Sequence, residues 1–86
     1  GVHIMRGSNI TIHKLVSHDN AMSGIKLTHS FKNITINNAK IYNNGLCGIL
    51  GYEGGTAPAK AHVDDRYTSK GLYLNNVSVY NNGKTS

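Results

Sequence analysis

The sequence predicts an all-β chain, a parallel β-helix of about three to three and a half coils with roughly 24 residues each. Three observations carry that expectation. Residues 34–45, ITINNAKIYNNG, return at residues 72–83 as LYLNNVSVYNNG, and a more divergent copy, ITIHKLVSHDNA, occupies residues 10–21. Within each copy apolar residues stand two apart, the period of a strand with one buried face. Between the apolar runs stand Asn and Gly, residues that tolerate the left-handed backbone of a sharp corner.

Each predicted coil holds three short strands. The first strand of each repeat falls at residues 1–5, 24–28 and 48–52, every one opening on glycine. The second falls at 10–12, 34–36 and 72–74, and the third at 15–17, 39–41 and 77–79. Corners of His13-Lys14, Asn37-Asn38 and Asn75-Asn76 separate the second strand from the third. Asp19-Asn20, Asn43-Asn44 and Asn81-Asn82 turn the chain towards the next repeat. Stacked Asn side chains at such corners can hydrogen-bond along a column.

The expected inner columns are Val2/Ile25/Ile49, Ile4/Leu27, Ile10/Ile34/Leu72, Ile12/Ile36/Leu74, Leu15/Ala39/Val77 and Ser17/Ile41/Val79. One repeat cannot bury its own apolar face, so stability must come from stacked neighbours. A leucine-rich horseshoe lacks its Leu-x-x-Leu-x-Leu pattern here, and a small sandwich requires no fixed period. The spacing from Ile10 to Ile34 is 24 residues and from Ile34 to Leu72 is 38, so 14 additional residues enter the third repeat. They place a loop insertion at about residues 53–70 of a single segment spanning 1–86.

Composition narrows the function. The chain has 86 residues, 38% of them apolar, with no tryptophan and one phenylalanine, a thin supply for one closed core. Nine Lys and Arg against four Asp and Glu give a net charge of +5, which suits a polyanionic partner. No aromatic-and-basic signature of a nucleic-acid module is present, and no apolar run is long enough to span a bilayer. A single cysteine, Cys47, excludes an internal disulfide framework and reads as structural. The chain opens inside a repeat, so it is expected to be a piece of a longer parent whose remaining coils would be its partners.

The Gly-x-x-Ile starts, Ser8-Asn9-Ile10-Thr11-Ile12, His18-Asp19-Asn20, Gly24-Ile25-Lys26-Leu27 and Ile41-Tyr42-Asn43-Asn44-Gly45 resemble the repeats of the pectate-lyase-like right-handed parallel β-helix superfamily. The resemblance covers nearly the whole chain except the insertion. It implies a right-handed helix, a secreted or cell-surface location and action on polysaccharides. That superfamily includes polysaccharide lyases, glycoside hydrolases, uronate epimerases and phage tailspikes. The Asn-Thr-Asp, Asp-Asp, Gly-His-Gly and Arg-Ile-Lys set of polygalacturonases is missing, as is the Arg-x-Pro-x-x-Arg of one pectate lyase group. No catalytic residue of those groups therefore transfers to this chain.

Candidate residues come from the predicted outer face of the first strands, which borders the insertion. His3 and Lys26 are the candidate bases of a β-elimination, and Arg6 the group that neutralises a uronate carboxylate. His29 and Tyr52 join Arg6 as candidate substrate-binding residues, with Arg66 and Tyr67 from the insertion, where an aromatic ring can stack on a sugar. Glu53, Asp64 and Asp65 supply hard oxygen ligands for calcium, the one cofactor considered, or the paired carboxylates of a glycosidase. His18 and Asp19 are adjacent, but successive strand residues point apart, and Asp19 aligns with the corner residues Asn43 and Asn81. The expected function is a polysaccharide lyase acting on a uronate-containing polysaccharide. A non-catalytic glycan-binding or structural β-helix, or a glycoside hydrolase using loop carboxylates, are the alternatives.

Overall fold

The computed structural model describes residues 1–52, 66–67 and 71–83. Eight strands are described: β1 (Val2–Met5), β2 (Ser8–His13), β3 (Val16–His18), β4 (Ile25–Thr28), β5 (Lys32–Tyr42), β6 (Ile49–Tyr52), β7 (Arg66–Tyr67) and β8 (Leu72–Tyr80). They form two parallel sheets. The first runs β1-β4-β6-β7. In the second, β2 and β3 lie end to end along one side of β5, and β8 pairs along its other side.

This arrangement overturns the β-helix expectation. Among the described residues both sheets are open, and neither closes on itself or winds into a solenoid. The predicted corner between second and third strands does not divide them in the later repeats. β5 runs 11 residues through Asn37-Asn38, and β8 runs 9 residues through Asn75-Asn76. The physical reason lies in single left-handed residues. Asn38 and Asn76 have φ of 57° and 54°, so each bends its strand while the pairing on both sides of it continues. Only in the first repeat, at Lys14 (φ 56°), does the strand break into β2 and β3.

The register nevertheless follows the repeat. Val2 pairs with Ile25 and Ile25 with Ile49; Ile10 pairs with Ile34 and Ile34 with Leu72; Ser17 pairs with Ile41 and Ile41 with Val79. The core lies where the two sheets face each other, with Ile25, Leu27 and Ile49 from one and Ile34, Ile36 and Ile41 from the other. Burying an aliphatic side chain of this size contributes about 1.5–3 kcal/mol. Phe31, just before β5, is also buried there, although no inner column anticipated it.

Asparagine columns run beside the apolar ones. Asn20 Nδ2 donates to Asn44 Oδ1 and Asn44 Nδ2 donates to Asn82 Oδ1, each at 2.8 Å. Asn44 and Asn82 are buried, so their amides satisfy one another where water cannot reach. Outer columns carry the bonds from Asn75 to Asn37 and from Asn76 to Asn38, both at 2.8 Å.

Candidate functional site

Alternation along β1 sends Val2 and Ile4 towards the core and His3 outward. On β4, Lys26 lies between the buried Ile25 and Leu27 and is the register partner of His3. Parallel pairing therefore brings His3 and Lys26 side by side, about 4.8 Å apart along the sheet. Both line a concavity of about 240 Å³ whose other walls include Met22, Ser23, Leu46 and Leu50. Sequence reasoning missed Met22, Ser23 and Leu46, because they sit in irregular connections where no alternation marks a direction. Ser23 Oγ is buried without a hydrogen-bond partner among the described residues.

His3 Nε2 lies 3.1 Å from Thr28 Oγ1, a contact that ties the imidazole to the neighbouring strand. No ion-pair partner of Lys26 occurs among the described residues. Arg6 and His29 follow the paired residues Met5 and Thr28 and share a left-handed backbone, with φ of 56° and 63°. The Arg6 amide donates to the Thr28 carbonyl at 3.2 Å, which holds the two corners together. Arg6 is exposed and His29 half-buried. Four basic side chains thus share one end of the first sheet: His3 beside Lys26, and Arg6 beside His29 roughly 10 Å further along the strands.

Tyr52 is placed differently. It continues the Met5–Thr28 row but is only 9% exposed, packed in a second small cluster with Cys47 and Leu50. All four residues of β6 are buried, whereas β1 and β4 carry the exposed His3 and Met5 and the half-buried Lys26. Arg66 and Tyr67, expected in a loop, instead form β7 and extend the first sheet. Tyr67 is the register partner of Leu50, in the His3–Lys26–Leu50 row, and the exposed Arg66 is the partner of Ile49. Glu53, Asp64 and Asp65 lie outside the described residues, as does most of the predicted insertion. Among the described residues no group of three or more His, Cys, Asp or Glu is arranged to hold a metal ion.

A second ionic feature departs from the sequence reading. His18 and Asp19 do meet, with Nδ1 and Oδ2 2.5 Å apart. The left-handed backbone of Asp19 (φ 54°) turns its carboxylate back to the imidazole, against the plain strand alternation. The His18 ring stacks on Tyr42 and Tyr42 on Tyr80, at centroid distances of 5.0 and 5.2 Å. This row lies on the second sheet, away from the His3–Lys26 concavity.

Set against family models, curated proteins and solved structures, the chain matches none of them. No helix among the described residues is long and apolar enough to cross a membrane.

Proposed function

We propose that the protein engages an acidic, uronate-containing polysaccharide on the β1–β4 face and cleaves it by β-elimination, with Lys26 as base. The observation that carries this reading is the His3–Lys26 register pair at the mouth of a concavity, with Arg6 and His29 at the adjacent corners. Charge-assisted contacts from such a row suit carboxylates repeated along a glycan. Asp19 is the sole acid among the described residues and is paired with His18 on the other sheet, so no described carboxylate opposes an anion here. A secreted or cell-surface setting accompanies the proposal, because that is where such polymers are met.

In the elimination, Lys26 Nζ takes the proton from C5 of the uronate. The electron pair forms the C4–C5 double bond, the C4–O bond breaks, the departing oxygen takes a proton from water, and Lys26 later returns its proton to solvent. Arg6 or His29 neutralises the uronate carboxylate and so favours the carbanion-like transition state. Thr28 already occupies the Nε2 side of His3, which makes Lys26 the better placed base and His3 a binding group.

The test is an ultraviolet assay for unsaturated uronide on a panel of uronate polymers. Lys26→Ala is expected to reduce product formation by about 10²–10⁴-fold, the range for loss of a general base. Unchanged absorbance in that variant would remove Lys26 from the role. A non-catalytic glycan-binding reading rests on the same basic face without a proton transfer. Salt-sensitive binding with no product from any polymer would select it.

A further inference from the structure

Among the described residues, the second sheet ends on two edges, β2–β3 and β8, that pair with no further strand and whose chemistry is complementary. In its middle, Ile34, Ile36 and Ile41 are wholly buried. Their register partners Ile10 and Ile12 on one side and Leu72, Leu74 and Val79 on the other are only half-buried. The Ile10/Ile34/Leu72 and Ile12/Ile36/Leu74 columns are therefore open at both ends, and the Ile41 column is open at Val79 but closes on the buried Ser17 at the other end.

The polar columns have a direction. Asn75 Nδ2 donates to Asn37 Oδ1, and Asn37 Nδ2 lies 3.4 Å from the acceptor His13 Nδ1. In the next column Asn76 Nδ2 donates to Asn38 Oδ1. The β8 edge thus ends on Asn75 Oδ1 and Asn76 Oδ1, acceptors to which nothing among the described residues donates. At the opposite edge the same columns begin with His13 and Lys14. An imidazole that accepts at Nδ1 has its Nε2–H left to donate, and an ammonium has only donors. The aromatic row repeats this logic, with Tyr80 at one end and His18 at the other.

We propose that copies of this chain associate head to tail, with the β2–β3 edge of one seated on the β8 edge of the next. His13 and Lys14 of the incoming copy then donate to Asn75 and Asn76. Ile10 and Ile12 cover Leu72 and Leu74, and the ring of His18 stacks on Tyr80. Such a contact joins different surfaces and does not close on itself, so it produces an open series of species. A charge of +5 on each copy opposes association, and salt screens it.

Sedimentation velocity of the full chain, over a series of protein and salt concentrations, tests this. Species larger than monomer should grow with protein concentration and grow further as salt is raised. Asn75→Lys keeps a donor for Asn37 but sets an ammonium against His13 and Lys14. It should weaken association at least about tenfold. Adding His13→Glu, which keeps an acceptor for Asn37, should restore association in the double variant and so rule out simple misfolding. A monomer at every concentration and salt would overturn the proposal and assign these edges to another occupant. Oligomers indifferent to Asn75→Lys would overturn it equally.

Discussion

Asparagine has two different uses in this chain, and burial separates them. Asn44 is 2% exposed, and its Oδ1 accepts both from the Asn20 amide and from Asn20 Nδ2. Removing that side chain takes the shared acceptor from half-buried Asn20 and a donor from buried Asn82 Oδ1, which costs about 1–3 kcal/mol. Asn44→Ala is therefore expected to lose about 1–3 kcal/mol in urea denaturation. Asn75→Ala removes a bond of the same length from an exposed column, where water replaces the lost partner. Its effect should stay within about 0.5 kcal/mol. Gly24 is a third kind of constraint. A Cβ there would lie 2.6 Å from Ile41 Cγ2 and 2.8 Å from Asn44 Nδ2. Gly24→Ala should cost about 1–3 kcal/mol by overpacking, read as a lower midpoint in the same denaturation curve.

At the scale of elements, the bends inside β5 and β8 decide the sheet. Asn38 has φ of 57° within a continuous strand. A β-branched residue is poorly suited to that backbone, so Asn38→Val should destabilise by about 1–3 kcal/mol. Asn38→Gly tolerates the conformation and should sit closer to wild type, with loss of the Asn76 contact as its main penalty. Thermal unfolding of the pair measures the backbone contribution apart from the side-chain bond. The Asn-Asn pairs were legible as positions needing positive φ. Whether such a residue ends a strand or only bends it was not legible, because that depends on the pairing of its neighbours. Ala39 continues to pair with Val77 beyond the bend, and the strand survives.

At the scale of the molecule, the proposed binding face and the proposed edge contact should respond oppositely to ionic strength. Binding of a uronate polymer to the His3–Lys26 face should weaken as salt rises, because exposed charge contacts are screened. Head-to-tail association should strengthen over the same range, because the net +5 charge is screened too. Following polymer binding and sedimentation in the same salt series measures both slopes. Parallel slopes would contradict the separation of the two surfaces. The candidate face was partly legible: alternation placed His3 and Lys26 outward, and the repeat put them opposite each other. The burial of Tyr52 beside Cys47 and Leu50 was not, since an outward position in a strand says nothing of what covers it. Nor was the His18–Asp19 contact, which depends on the backbone conformation of a single residue.

The sequence by itself determined which residues fall in the apolar strand runs, their register, and the positive φ of the corners at Lys14, Asp19, Asn38, Asn43, Asn76 and Asn81, but not that of Arg6, Asn9, His29 and Asn33. Those properties follow from local periodicity and from residues whose backbone preferences are intrinsic. Only the tertiary structure decided that second and third strands merge, that the sheets remain two and open, and that Arg66 and Tyr67 form a strand. These outcomes depend on which hydrogen-bonding edges find partners at a distance. A repeat of 24 residues specifies which residues align, while the pairing of whole strands determines how the aligned sheets end.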